Sequence, residues 1–447
     1  MINQELRQAF KEKYEKDPTN RASQHAIHQV GIQEASLNAD VRRQHPFAFS
    51  EETKRGKITD QKSSGRCWMF SALNTARVHV MEKLNLESFE FSQNYTLFWD
   101  KLEKANYFLN SIIETADRDL NDRLIWHLLQ APQEDGGQWE MFAGILNKYG
   151  SVPKEVMPES FHSSNTRLLN ETLNNKLREF AYELRQAAQA GQAGQSQDDL
   201  AKKRDQQLYF VYQLLVKALG PVPEVFDYSY RDKDGNYHKL QDLTPQSFFQ
   251  DYGGIETEDM VSLINAPTQD KPYGKTFTVD YLGTIAEEKP IKYLNAPIDV
   301  LKEAAIAAIK DGVPVWFGCD VGKSSYSKWG IMDTDLFDYE ATLGDSLNLS
   351  KEARLDYGVS VLTHAMVLVG VDLDADGQAI NWKVENSWGK KVGDDGIFSM
   401  SDKWFDEYNY QITLPSRYLP SDWQGKYDQE PIHLAPWDPM GSLAKHQ

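Results

Sequence analysis

The amino-acid sequence predicts an α+β fold, with helices in the first half of the chain and strands in the last third. Apolar residues recur every four positions from Cys67 to Leu84, which predicts a helix with one buried face. A second helical pattern covers residues 93–114. Residues 364–371 are mostly apolar, and residues 380–385 alternate like a returning strand. Such segregation of helices from strands is typical of the α+β class.

The composition is that of a globular protein. The chain has 447 residues, of which 40% are hydrophobic and 26% are charged, and this length predicts two or three domains. The formal net charge of −18 disfavours binding to a phosphate backbone, so nucleic acid is not an expected partner. No apolar stretch is long enough to span a bilayer, so we expect no membrane partner. Only two cysteines are present, and the first residues lack the apolar core of a signal peptide, which together predict a soluble cytoplasmic protein.

Cys67 is the candidate nucleophile. It stands at the start of the first predicted helix, where unpaired backbone N–H groups lower the pKa of a thiol and favour the reactive thiolate. A lone cysteine is more often a buried apolar residue, so this interpretation depends on its neighbours. Gln61 lies upstream, and its side-chain amide could form an oxyanion hole with the backbone N–H of Cys67. Cys319 lacks an activating pattern and is expected to be structural.

His364 and Asn386 complete the candidate site. His364 opens the apolar strand, and Asn386 lies 22 residues later, at the end of the returning strand. Two antiparallel strands joined by a turn could bring these side chains together. The oxygen of Asn386 would then accept from one ring nitrogen and fix the tautomer, while the other nitrogen faces sulfur. Trp388 is expected to cover that hydrogen bond from water.

Neither a metal nor another cofactor is expected. Residues 372–377 begin like a calcium-binding loop, but Lys383 occupies the twelfth position, where a bidentate glutamate is required. His25 and His28 share a helical spacing without a compelling set of further ligands, so a solvated helix face is the simpler interpretation.

Taken together, these motifs resemble the papain-like cysteine peptidases. The local cysteine signature of that family is Cys-Gly-Ser-Cys-Trp, whereas residues 64–68 read Ser-Gly-Arg-Cys-Trp. Residues 386–398 read Asn-Ser-Trp-Gly-Lys-Lys-Val-Gly-Asp-Asp-Gly-Ile-Phe, which is similar to the asparagine region of the family. The arginine form of the cysteine motif, residues 100–106 and the Trp-Asp-Pro-Met-Gly run at 437–441 look like one branch, the aminopeptidase C or bleomycin hydrolase family. The resemblance runs from about residue 5 to 444.

The resemblance implies a papain-like two-lobe fold with an inserted helical hook domain. Residues 1–160 would form an N-terminal arm and the helical lobe with Cys67, residues 161–285 the hook, and residues 286–447 the β-rich lobe with the histidine and the asparagine. His364 follows Cys67 by 297 residues, against about 130–150 in papain-type enzymes, and the insertion roughly matches the extra length. The hook holds a hexamer together in the family, so a homohexamer is implied.

The resemblance also implies a cysteine aminopeptidase, which releases N-terminal residues from short peptides through a thioester acyl-enzyme. Gly136 and Gly137 match the glycine pair of the family's substrate groove, where an extended peptide can pair with the backbone. In the family the chain end lies in the cleft, and its carboxylate faces the free amino group of the substrate. Here residues 445–447 follow Ala444, and we expect the enzyme to trim them from its own chain.

Three alternatives use part of the same observations. An untrimmed tail would favour a cysteine oligopeptidase or endopeptidase of the same family. The same three side chains could transfer the acyl group to an amine, which is the activity of an acyltransferase. A non-enzymatic role in nucleic-acid binding is the third alternative, and the net charge of −18 opposes it.

Overall fold

The computed structural model describes residues 1–191 and 197–444. It confirms the predicted α+β class, with most long helices before residue 220 and most strands after it. The α-helices are α1 (Gln4–Lys16), α2 (Pro18–Ala35), α3 (Cys67–Lys83), α4 (Gln93–Glu114), α5 (Arg123–Gln130), α6 (Trp139–Tyr149), α7 (Phe161–Ser164), α8 (Arg167–Gly191), α9 (Gln197–Leu219), α10 (Pro245–Phe248), α11 (Ile298–Lys310), α12 (Tyr339–Leu343), α13 (Lys351–Asp356) and α14 (Asp402–Tyr408).

The strands form one large mixed sheet and a separate hairpin. In chain order they are β1 (Glu51–Glu52), β2 (Phe226–Arg231), β3 (Tyr237–Leu243), β4 (Met260–Ile264), β5 (Thr276–Val279), β6 (Tyr293–Asn295), β7 (Val315–Cys319), β8 (Ser325–Tyr326), β9 (Ile331–Met332), β10 (His364–Leu373), β11 (Ala379–Glu385), β12 (Ile397–Ser401), β13 (Asn409–Pro415) and β14 (Ile432–Leu434). The large sheet has the order β14-β5-β6-β4-β13-β7-β10-β11-β12-β9-β8, with β1 also paired to β10, while β2 and β3 form the hairpin.

Strand β10 lies near the middle of the large sheet and is covered on both faces. Helix α3 packs against β10 and β7 on one face, and helix α11 packs against β10 and β13 on the other. Ala365 belongs to the apolar core that includes α3, whereas the next residue, Met366, belongs to the core beside α11. This alternation follows the two-residue period of a strand. It explains why β10 reads as an unbroken apolar run in the sequence.

The register of β10 places the candidate site where β10 begins and β11 ends. His364 pairs with Cys319 of β7, and Val367 pairs with Glu385 of β11, both in antiparallel register. Asn386 directly follows β11, so the chain leaves that strand next to the start of β10. The antiparallel return therefore brings two residues that are 22 positions apart to one place.

The segment 161–285 begins as a helical unit and ends in the large sheet. Helices α8 and α9 pack against each other and against α4, and apolar residues of α8 such as Leu173 and Leu177 share the core of α3. Strands β4 and β5 lie in the same segment, yet both pair into the large sheet. Their lengths of 5 and 4 residues carry too few periods to be recognised in the sequence.

The N-terminal helices α1 and α2 form an arm in which neither helix has a buried residue. Among the described residues, no helix is both long enough and apolar enough to cross a membrane.

Candidate active site

Cys67 is the first residue of α3 and is completely buried. The preceding residue, Arg66, makes no side-chain cap, so no cap side chain satisfies the first N–H groups of the helix. These groups and the helix dipole stabilise negative charge at the sulfur. The amide of Ala365 donates to Cys67 Sγ at 3.4 Å, and Ala365 is the neighbour of His364 on β10. Cys67 and the strand that begins at His364 are therefore in direct contact.

Arg66 explains why the cysteine motif departs from the usual signature. Its guanidinium is fully buried and bonds both carboxylate oxygens of Glu159, at 3.0 and 2.8 Å. Its Nε also donates to Ser64 Oγ at 2.9 Å. A bidentate arginine–carboxylate pair fixes geometry more strictly than a single hydrogen bond does. The pair holds the turn that leads into Cys67.

A second set of buried charges fixes the loop that contains Gly136 and Gly137. Lys104 Nζ donates to the carbonyl of Gly136 at 2.6 Å and pairs with Asp100 at 2.9 Å. A Cβ on Gly137 would lie only 2.6 Å from the ring of Trp68, so packing requires glycine there. Both glycines are buried. Their pairing with a bound peptide stays a prediction.

Asp135 connects this loop to the cysteine turn. Its carboxylate accepts the Gly65 N–H at 2.9 Å and pairs with Lys101 at 2.8 Å. Burial by itself raises the pKa of Asp135, but Lys101 and the hydrogen bonds outweigh burial and hold the pKa below its usual range. The Asp135 carbonyl also accepts from the indole N–H of Trp68 at 2.7 Å. These roles were not predicted from the sequence, although two lysines within a strongly patterned helix, at positions 101 and 104, were a signal that could have been used.

His364 and Asn386 are hydrogen-bonded to each other. His364 Nε2 lies 2.9 Å from Asn386 Oδ1, and both residues are buried. An amide oxygen can only accept, so Nε2 carries the proton and Nδ1 keeps the lone pair. Asn386 Oδ1 also accepts the Ser387 N–H at 2.8 Å, which fixes the amide. The arrangement has the tautomer required of a base that takes a proton through Nδ1.

Trp388 covers the imidazole. Its ring centroid lies 4.7 Å from that of His364, at an interplanar angle of 38°. Burial lowers the pKa of His364 to about 4, and the hydrogen bond that His364 donates to Asn386 raises it in part. A thiolate on Cys67 would favour the protonated ring, because opposite charges stabilise each other.

Gln61 is hydrogen-bonded both to Ser64, in the turn before Cys67, and to Ser387, next to Asn386. Its N–H donates to the Ser387 carbonyl at 2.8 Å, and its Oε1 accepts from Ser387 Oγ at 2.7 Å. Its Nε2 donates one hydrogen to the Ser64 carbonyl at 2.6 Å. An amide nitrogen carries two hydrogens, and this is the one bond that Nε2 donates within the described residues, which leaves the second hydrogen for a ligand.

The ion pair of Arg77 and Glu385 is another feature that the sequence analysis missed. The two side chains are each 1% exposed and meet at 2.6 Å. Arg77 lies on the cysteine helix, and Glu385 immediately precedes Asn386. The partners are 308 positions apart, so no local pattern links them.

An open cleft of about 730 Å³ lies in front of the histidine. Its walls include Gln61, Gly65, Glu134, Thr363, His364 and Trp388. The end of the described chain lies close by, because Ser442 Oγ donates to the Leu362 carbonyl at 2.8 Å, two residues before His364. Leu443 is fully buried, and a short 3-10 helix ends at Ala444. The predicted extension 445–447 lies outside the described residues.

Within residues 1–191 and 197–444, no group of three or more His, Cys, Asp or Glu side chains is placed to hold a metal ion.

Comparison with known proteins identifies the chain's relatives. The model of the Peptidase C1-like family matches residues 1–441. Aminopeptidase C of Listeria monocytogenes is 48% identical over 435 residues, covering 97% of each chain, and bleomycin hydrolase of Gallus gallus is 45% identical over 87% of this chain and 86% of its own. The crystal structure of PepW from Lactobacillus rhamnosis HN001 superimposes with a TM-score of 0.96 at 44% identity, covering 99% of each chain. The chain therefore belongs to the Peptidase C1-like family and is a papain-like cysteine aminopeptidase.

Proposed function

We propose that Cys67, His364 and Asn386 carry out the peptidase reaction through a thioester acyl-enzyme. The observation that supports this assignment best is the 2.9 Å bond from His364 Nε2 to Asn386 Oδ1, next to the strand residue whose N–H donates to Cys67 Sγ. His364 Nδ1 first takes the proton of the Cys67 thiol, and the resulting thiolate attacks the carbonyl carbon of the first peptide bond. His364 gives its Nδ1 proton to the leaving nitrogen, and the C–N bond breaks. Water then loses a proton to His364 and attacks the thioester, which releases the N-terminal residue and restores the thiolate.

Gln61 is the proposed side-chain donor of the oxyanion hole. The second hydrogen on its Nε2 and the backbone N–H of Cys67 would stabilise the oxygen of the tetrahedral intermediate. The contacts of Gln61 to Ser64 and Ser387 support this role, because they hold the amide in place before substrate binds.

The substrates are proposed to be short peptides with a free N-terminus. The position of Ser442 beside Leu362 supports a chain end that blocks the cleft beyond the first substrate residue. Removal of residues 445–447 by the enzyme itself would then put the carboxylate of Ala444 at the chain end. Intact mass spectrometry tests this step: active protein should lose the three residues and Cys67→Ala protein should keep them. If both proteins keep them, the self-trimming proposal is wrong.

We propose that segment 161–285 contains a hook domain that assembles a cytoplasmic homohexamer. Large apolar side chains on α8 and α9 support an intersubunit surface, since Tyr182 is 65% and Tyr209 is 62% exposed. Enclosure in an oligomer would restrict access to an otherwise open cleft. Light scattering of the full chain should give six times the mass of 51.1 kDa. A monomeric mass would rule the hexamer out.

The test of the function compares a free-amine aminoacyl fluorogenic amide with its N-acetylated form. Cleavage of the free-amine substrate alone, lost in Cys67→Ala, is the expected result. Ser399→Ala is the matched control, because Ser399 is buried like Cys67 and is hydrogen-bonded to His45, outside the cleft. Cleavage of the acetylated amide would instead support an oligopeptidase or endopeptidase. Transfer of the acyl group to an added amine would support an acyltransferase.

A further inference from the structure

Glu134 borders both the catalytic cleft and the cavity beside the chain end. In the cleft it shares the wall with Gln61 and His364. In the neighbouring cavity of about 410 Å³ it shares the wall with Gly441 and Ser442. With the chain end limiting the cleft as proposed above, a substrate residue whose carbonyl carbon is at Cys67 would have its α-amino group on the side of these two spaces. A carboxylate on that border can reach an ammonium group.

The backbone carbonyl of Glu134 accepts two hydrogen bonds, whereas its side-chain carboxylate has no partner among the described residues. The carbonyl of Glu134 accepts from Nζ of both Lys101 and Lys104, each at 3.1 Å. The next residue, Asp135, bonds the N–H of Gly65, two residues before Cys67. In the part of the chain that the structure describes, the Glu134 carboxylate has neither a hydrogen-bond partner nor an ion-pair partner. The nearby Lys101 pairs with Asp135 instead, and its Nζ lies 2.8 Å from Asp135 Oδ1.

The electrostatics of this position favour an incoming cation. Burial raises the pKa of Glu134, and the neighbouring Asp135 acts in the same direction, whereas Lys101, Lys104 and Arg178 lower it in part. A half-buried carboxylate without a partner gains more from an ammonium group than an exposed one does, because less water screens the pair. A bound protonated amine would pair with the Glu134 carboxylate, whose negative charge is costly to bury without a partner.

We propose that Glu134 binds the α-ammonium group of the substrate's N-terminal residue and thereby helps to select free N-termini. This proposal rests on the free-amine selectivity argued above. It assigns part of that selectivity to a side chain of the cleft wall, in addition to the chain end.

The test is Glu134→Gln, which keeps the shape of the side chain and removes its charge. Two free-amine fluorogenic amides are compared, one of alanine and one of arginine. KM should rise about tenfold or more for both, within the range for a hydrogen bond to a charged group, while kcat changes less than about twofold. Glu134→Asp should give an intermediate KM. In the unmodified enzyme KM should rise as the pH falls through the raised pKa of Glu134, and this rise should be absent in Glu134→Gln.

Glu82→Gln is the matched control. It makes the same change of charge at the far end of α3, 15 residues beyond Cys67, which is about 22 Å along the helix. Its KM should stay unchanged. An unchanged KM in Glu134→Gln would overturn the proposal, and a rise for the arginine amide alone would overturn it in favour of side-chain selection. If the unmodified enzyme cleaves acetylated and free amides equally, the underlying free-amine selectivity fails instead.

Discussion

Two histidines of this protein have similar partners but different surroundings. His364 bonds Asn386 at 2.9 Å and adjoins the strand residue that contacts Cys67. His45 is part of a Ser–His–Asp chain, in which Nδ1 lies 2.7 Å from Ser399 Oγ and Nε2 lies 3.2 Å from Asp333 Oδ2. By residue type and connectivity, the second set looks more like a hydrolase triad than the first.

Access and the position of the thiol or hydroxyl group distinguish the two sets. His364 lines the open cleft, whereas none of His45, Asp333 and Ser399 contributes to that cleft, and each is at most 4% exposed. Cys67 begins a helix of 17 residues, but Ser399 lies within strand β12. The His45 set ties the segment before β1 to Ser399 of β12 and to Asp333, which directly follows β9. The comparison teaches that a hydrogen-bonded triad becomes a catalytic site only where substrate can reach it and where the fold activates the nucleophile.

The largest expected difference comes from removing each imidazole in turn. His364→Ala should lower kcat by about 10²–10⁴-fold, the contribution of general acid–base catalysis. His45→Ala should leave kcat per folded molecule unchanged and lower the free energy of unfolding by about 1–3 kcal/mol, because Asp333 loses a buried partner. Steady-state kinetics and urea unfolding of both variants measure the two effects. Loss of kcat in folded His45→Ala protein would show that the two sets are coupled.

A smaller effect concerns the pKa values of His364 and Asp333, one residue from each set. In Cys67→Ala no thiolate can form, so burial of the imidazole should hold the pKa of His364 below its ordinary value of 6.5. The unfolded chain then binds the extra proton, and the contribution of His364 to stability is present above pH 6.5 and is lost as the pH falls toward 4. Burial raises the pKa of Asp333, but hydrogen bonds led by that of His45 outweigh burial and lower it below 3.8, so the contribution of this carboxylate is lost only below that pH.

NMR titration of the His364 ring in Cys67→Ala and in the unmodified enzyme measures this difference. The unmodified enzyme should titrate at a higher pH, because its thiolate favours the imidazolium. Equal titration in both proteins would contradict an ion pair between Cys67 and His364.

The same comparison shows how far sequence can predict this molecule. Cys67, His364 and Asn386 could be proposed because each stands at the end of a strongly patterned element. His45 and Ser399 are 354 positions apart, and each sits in unremarkable surroundings, so only the fold brings them together. The roles of Arg66 and Asp135 were missed for the same reason, since their partners lie on distant segments. Periodicity predicts which face of an element is buried, but it contains no information on which distant side chain will meet it.

The smallest expected effect comes from the aromatic cover over the His364 imidazole. Trp388→Phe keeps an aromatic ring beside His364 but reduces the area that shields its bond to Asn386 from water. Aromatic contacts of this kind contribute about 0.5–1.5 kcal/mol, so kcat should fall by roughly two- to tenfold. Tyr230→Phe is the matched control, because that ring stacks on His238 at 4.9 Å in the β2–β3 hairpin, away from the cleft. Its kcat should not change, and an equally unchanged kcat in Trp388→Phe would mean that the cleft itself, rather than the indole, protects the hydrogen bond.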